Sequence, residues 1–233
     1  TTFYPEGGGQ IGDTGKLISS ADEIQVIDSY KDSGDIIHLT KKLPSNLESQ
    51  VKLKVATKRR SLIEANHTGT HLLHQALRNI LGDHVEQRGS MISDEMFRFD
   101  FSHPSKLSSS DIHSINSFVN SKIKESIPLV ENREEDYETA INNGAIGLFT
   151  EKYEDKVRTV KFDESYELCG GTHAKNTSKL KTFSIISEVS QAFGIRRITA
   201  TCNQEIILKD IEKKKASQEK LANEKANKEL KKE

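Results

Sequence analysis

The pair His67 and His71, set against Cys169 and His173 far downstream, constrains this chain more than any other feature. Within each pair the two residues stand at i and i+4, so each half can aim both side chains at one point from a single turn. Three imidazoles and one thiol are a donor set that suits zinc, whereas magnesium and calcium take oxygen. A fold that uses the set must bring two distant segments together. Four protein ligands ordinarily make a closed, structural site, and Thr68 stands where a His-Glu-x-x-His metallopeptidase helix would carry its glutamate. From the residues alone, a structural staple and a substrate-binding centre both stay open.

The residue periodicities predict an α+β chain in three parts. Residues 1–56 read as short strands at 1–4, 16–19, 23–27, 36–39 and 51–55, separated by turns that include Pro5-Glu6-Gly7-Gly8-Gly9-Gln10 and Gly12-Asp13-Thr14-Gly15. That spacing suggests a small antiparallel β-barrel or meander, lacking an N-terminal strand. Residues 57–203 begin with a helix from Thr57 to Leu81, stopped by Gly82, that carries both upstream histidines. After a loop, Phe97, Phe99 and Phe101 alternate along a strand. A helix from Ser108 to Glu125, a strand at 127–130, a helix at 134–142 and strands at 157–162, 182–188 and 195–201 complete a mostly antiparallel body. Residues 204–233 read as a charged helix with the isolated apolar residues Leu208, Ile211, Leu221 and Leu230, leading toward a further domain. The chain opens on Thr1 without an initiator Met, as a piece of a longer protein would.

Charge and cysteine content narrow the setting. With 34 basic and 35 acidic residues the net charge is -1, so global electrostatics do not mark a nucleic-acid binder. Arg196-Arg197 and Lys58-Arg59-Arg60 are candidate phosphate contacts, although such groups also decorate solvated faces. Two cysteines, one of them in the ligand set, argue against a disulfide framework and favour the cytosol. No apolar run is long enough to cross a membrane. The Gly7-Gly8-Gly9 run reads either as a hairpin turn or as a backbone nest that lets a ligand approach; it lacks the Lys-Ser/Thr of a phosphate loop.

Four motifs then appear in order. They are Thr1-x-Phe3-Tyr4-Pro5-Glu6-Gly7-Gly8-Gly9-Gln10-x-Gly12-Asp13-Thr14-Gly15, Asn66-His67-Thr68-x-Thr70-His71-Leu72-Leu73-His74, Gly89-Ser90 with Arg98-Phe99-Asp100-Phe101-Ser102-His103, and Leu168-Cys169-Gly170-Gly171-Thr172-His173. This series resembles the editing region of alanyl-tRNA synthetases and is similar to the free-standing alanyl editing proteins. The resemblance implies hydrolysis of Ser-tRNA(Ala), and of Gly-tRNA(Ala), made in error at another site. It implies one zinc ion on His67, His71, Cys169 and His173, and Thr1 as reader of the serine hydroxyl. Gly7, Gly8, Gly9 and Gln10 would form a substrate loop, with Thr1, Gln10 and Cys169 at the reacting end. Arg196 and Arg197 remain the candidate tRNA contacts. The implied fold is a translation-factor-like barrel followed by the α+β domain shared by threonyl- and alanyl-tRNA synthetases, in a cytoplasmic protein. No part of the chain resembles the class II aminoacylation core. Two other readings stand beside this one: a free-standing deacylase, and a zinc-containing RNA-binding module without catalysis. No carboxylate or histidine stands at a spacing that marks a general base, and Asp100 and His103 near the Phe strand are not assigned that role.

Overall fold

A computed structural model describes residues 1–147 and 153–229. Four strands, β1 (Gly15–Ile18), β2 (Glu23–Asp32), β3 (Asp35–Thr40) and β4 (Lys52–Val55), form an antiparallel sheet in the order β3-β2-β1-β4. Alternation along β2 buries Ile24 and Val26 on one face. The β2–β3 turn places Ser33 and Gly34 at positive φ, the backbone twist that a two-residue hairpin favours. Among the described residues β3 and β4 are the edges of an open sheet and do not pair with each other, so the strands show no closed barrel, and β1, β2 and β3 follow one another as the expected meander would. Residues 1–4 are not a strand either. They are tied to the following turn by Tyr4 N donating to Asp13 Oδ2 at 2.6 Å and Asp13 N donating to Tyr4 O at 2.9 Å. Arg60 donates to the same carboxylate from the next helix, and Asp13 is 1% exposed. A buried carboxylate that meets both a backbone N–H and a guanidinium ends the strand pattern and anchors the sheet.

The helix α1 (Thr57–Leu81) lies where periodicity predicts it, and Gly82 ends it at φ 114°. Leu72, Leu73, Ala76 and Leu77 are fully buried in the main core, while Asn66, His67, Thr70, His71 and His74 are buried on polar contacts. Strands β5 (Gln87–Ile92) and β6 (Phe97–Ser102) join two later strands, β10 (Ser184–Ala192) and β11 (Ile195–Thr201), in the antiparallel order β10-β11-β6-β5. Phe97, Phe99 and Phe101 are all fully buried, each burial contributing roughly 1.5–3 kcal/mol. Helix α2 (Ser109–Lys124) buries Ile115, Val119 and Ile123, and begins at a capping box between Ser108 and Asp111. Residues 87–92, expected as a loop, form a strand because β6 supplies the partner; Gly89 and Arg88 hide any alternation in the sequence.

The third sheet is β7 (Val130–Asp136), β8 (Lys156–Phe162) and β9 (Ser165–Leu168), in that order, with the short helix α3 (Tyr137–Asn142) between β7 and β8. The sequence places a strand at 127–130 and a helix from 134. Instead the strand begins at Val130 and runs through the polar stretch to Asp136. The reason is tertiary: Glu135 accepts hydrogen bonds from Thr159 on β8 and Tyr166 on β9, so an acidic residue that looks helical pairs into a sheet edge. The last helix, α4 (Gln204–Glu229), is the expected charged one, with Leu208 and Ile211 exposed. Leu230 and the side chain of Leu221 lie outside the described residues. No helix among the described residues is long and apolar enough to cross a membrane.

The first sheet is fastened to the body beside α1. Ile92 N donates to Gly9 O at 2.7 Å and Ile11 N donates to Ile92 O at 3.1 Å. Arg59 donates to Gly12 O at 2.8 Å, so two of the three residues in the basic run Lys58-Arg59-Arg60 serve as internal ties. The α+β class with antiparallel sheets stands as expected.

Candidate metal centre and the cavity beside it

Helix α1 offers His67 and His71 one turn apart, and the segment after β9 offers Cys169 and His173. One ligand atom from each of the four lies within 4.8 Å of the others. Cys169 Sγ is 3.4 Å from His67 Nε2 and 3.3 Å from His173 Nε2. Tetrahedral zinc with its usual bond lengths would hold such donors about 3.3–3.6 Å apart, so the set fits that ion. Burial holds the His67 and His173 imidazoles well below the ordinary range, and both are therefore neutral and able to ligate. Burial also pushes the Cys169 thiol up to about 12. A thiolate at this place needs a cation beside it.

The surroundings orient the rings. Thr172 N donates to Gln10 Oε1 at 3.0 Å, and the same oxygen lies 2.7 Å from His67 Nδ1. His173 Nδ1 lies 3.3 Å from Thr68 Oγ1, which also accepts from Ala174 N at 3.1 Å. Glu167 sits behind His71, with 3.6 Å from its Oε2 to His71 Nδ1, and 3.0 Å from its Oε1 to His74 Nδ1. Burial disfavours the charged form of Glu167, but His71 and His74 outweigh it and hold the carboxyl below its usual range. The 3.0 Å contact to His74 is a hydrogen bond, whereas His71 Nδ1 is buried without one and meets the Glu167 carboxylate through its charge alone. Arg158 Nη1 donates to Cys169 O at 2.6 Å and to Gly171 O at 2.7 Å, bracing the cysteine loop. Gly171 must lack a side chain: a Cβ there would stand 2.0 Å from His67 Cε1.

His67, His71 and Cys169 border a cavity of about 720 Å³, which Gly7, Gly8 and Thr70 also line. Gly8 and Gly9, at φ 57° and 83°, form the centre of a tight turn closed by hydrogen bonds between Gly7 and Gln10. Gly9 backs onto Ser90, where a Cβ would come within 2.5 Å of the carbonyl oxygen. Gln10 is fully buried and does not line the cavity. Thr1 does not line it either; its hydroxyl meets His38 Nε2 at 2.9 Å on the exposed side of the sheet. Arg196 pairs with Glu188, and Arg197 makes a two-pronged contact with Asp100 at 2.6 and 2.7 Å. Both arginines lie apart from the cavity. Thr70, Arg158 and Glu167 line it without having been singled out from sequence. Thr70 had a usable signal, since it stands one residue before His71; Arg158 and Glu167 had none beyond ordinary strand alternation.

Residues 157–199 match the family profile described as the threonyl and alanyl tRNA synthetase second additional domain. Residues 1–61 match the profile of class II (A) tRNA synthetases, over the stretch that holds the first sheet. The chain is 52% identical over 201 residues to an alanine–tRNA ligase of Christiangramia forsetii, matching 86% of this chain and 23% of that protein. It is 46% identical over 209 residues to the alanine–tRNA ligase of Flavobacterium psychrophilum, at 86% and 24%. With that of Leptospira borgpetersenii it shares 44% identity over 210 residues, at 89% and 22%. The chain therefore spans about a quarter of the length of the curated relatives it matches.

Proposed function

We propose that this chain, a homologue of one segment of the alanine–tRNA ligases, is an editing unit of that family. In this reading it hydrolyses the ester of serine, and of glycine, wrongly joined to tRNA(Ala) in the cytoplasm. His67, His71, Cys169 and His173 would hold zinc. The observation that supports this over a structural staple is the cavity: three of the four ligand residues border a space of about 720 Å³ shared with the glycine turn. That volume is in the range of small-molecule sites and suits an aminoacylated terminal nucleoside.

Bound zinc would supply positive charge that draws in and polarises the aminoacyl group. The chain's own residues supply selection. Thr70 donates its hydroxyl proton to Asn66 O at 3.0 Å, so the lone pairs of Oγ1 are left to accept from a serine hydroxyl. Alanine offers no such donor, and the mismatch of a buried polar atom costs on the order of 1–3 kcal/mol. Thr1 lies outside the cavity, so the hydroxyl-reading role passes to Thr70. Gly7 and Gly8 bring bare backbone to the cavity edge, where the Tyr4 hydroxyl holds the turn by donating to Gly7 O at 2.9 Å. Burial pushes the Tyr4 phenol up to about 12, and at neutral pH it carries its proton as an ordinary phenol does. Gln87 and Ser90, joined at 3.2 Å, add further polar groups to the lining.

The test is deacylation of Ser-, Gly- and Ala-tRNA(Ala) by the purified chain, before and after chelator treatment and with zinc restored. Fast release of serine, slow release of alanine and loss of activity on chelation are expected. Equal release of serine and alanine, or no release with zinc bound, would overturn the reading.

A further inference from the structure

Gln10 belongs to the glycine turn, which the sequence aims at substrate, yet its side chain is turned entirely into the protein. It is fully buried, and both polar atoms of its amide are occupied. Oε1 accepts from Thr172 N at 3.0 Å and lies 2.7 Å from His67 Nδ1, while Nε2 donates to Thr172 Oγ1 at 3.0 Å. A backbone N–H can only donate, so the amide atom facing Thr172 N must be the oxygen, and the orientation of the amide follows from chemistry. The same oxygen facing His67 then requires a proton on Nδ1. The lone pair of that ring is thereby left on Nε2, the nitrogen 3.4 Å from Cys169 Sγ.

We propose that Gln10 is a positioning residue of the metal centre: it sets the His67 tautomer and joins the two ligand-bearing segments through one amide. The proposal rests on the reading of His67, His71, Cys169 and His173 as zinc ligands, and deepens it. Two further contacts make the amide more than a space-filler. The Gln10 turn is itself held to β5 through the bonds between Gly9, Ile11 and Ile92, so the amide is delivered from a fixed backbone. On the other side, a Cβ on Gly171 would stand 2.9 Å from Gln10 Oε1 and 2.5 Å from His67 Nδ1, so the cysteine loop closes directly over the contact between Gln10 and His67. Thus a residue of the segment that carries the first sheet acts on the metal ligand of α1, and the centre is built from three separated stretches of chain.

Two measurements test this. In the unmodified, metal-free chain, long-range proton–nitrogen NMR of the imidazoles should show His67 protonated at Nδ1; protonation at Nε2 overturns the proposal. Zinc affinity is then compared by competition with a chelating dye for Gln10→Glu, which keeps an acceptor, and Gln10→Met, which keeps only volume. The Met variant should bind zinc about 10–100-fold more weakly, and the Glu variant within about threefold of the unmodified chain. A Met variant that binds as tightly as the unmodified chain overturns the proposal. If the unmodified chain takes up no zinc, the metal reading fails together with the affinity half of the proposal, and the His67 tautomer separately decides what Gln10 does.

Discussion

The two glycines of the cysteine motif should respond differently to the same substitution. At Gly170 a built Cβ meets nothing within 4 Å, whereas at Gly171 it falls 2.0 Å from His67 Cε1 and 2.5 Å from Nδ1. Neither glycine is at positive φ, so a methyl group acts by contact alone. Carbon atoms rest about 3.5–4.0 Å apart, so Gly171→Ala forces a displacement of about 1.5 Å between the cysteine loop and the His67 ring. The ring is 5% exposed and held at Nδ1 by Gln10, and the loop is held by Arg158 through two carbonyls. Neither side yields freely, and overpacking of this kind costs about 1–3 kcal/mol. Metal binding should suffer more, because zinc tolerates only about 0.2 Å of error in ligand distance. A loss of at least about 100-fold in zinc affinity is expected, which removes about 2.7 kcal/mol of metal-linked stability at saturating zinc. Competition titration with a chelating dye and thermal melting with and without zinc measure both quantities. Gly170→Ala should match the unmodified chain in each. If Gly171→Ala binds zinc normally, or both alanine variants lose it equally, the placement of His67 against this loop is wrong.

Other positions give further outcomes. Thr70→Val keeps volume but removes the hydroxyl, so kcat/KM for Ser-tRNA(Ala) should fall about tenfold while zinc affinity holds; an unchanged preference for serine over alanine would remove Thr70 from selection. Asp13→Ala strips the buried partner from Arg60 and Tyr4 N; with Arg60 one-fifth exposed, a loss of about 2–4 kcal/mol is expected by urea unfolding of the metal-free chain. A loss under 1 kcal/mol would show that the first sheet is not anchored there. Zinc affinity should rise with pH. Burial keeps the Cys169 proton on until about 12, and burial holds His67 and His173 well below the usual imidazole range and His71 below it despite Glu167, so all three rings are already neutral near pH 7. Zinc then displaces one proton, from sulfur, and its affinity should increase roughly tenfold per pH unit between about pH 7 and 9. A slope of zero or of two protons in the same dye assay would refute that protonation scheme.

The helix that carries His67 and His71 was legible because its signals are local: an apolar stripe at helical spacing and a glycine stop. The Phe97, Phe99 and Phe101 strand was legible for the same reason, its two-residue period being written along six residues. Residues 87–92 and 130–136 were not, because each becomes a strand only through a partner elsewhere in the chain. Residues 1–4 looked extended and instead serve as the far end of the Asp13 anchor.

For the site, the sequence by itself determined the donor chemistry. Three imidazoles and a thiol in two i, i+4 pairs name the atoms, and residue type carries that information wherever the chain goes. Only the tertiary structure decided which polar groups face the cavity and which face the protein. Gln10 and Thr1 share a motif with Gly7 and Gly8, yet one is locked behind His67, one lies outside on His38, and the two glycines line the space. Side-chain direction at a turn depends on backbone torsions and on what packs against them, here β5 and the cysteine loop. Neither is encoded within the motif itself.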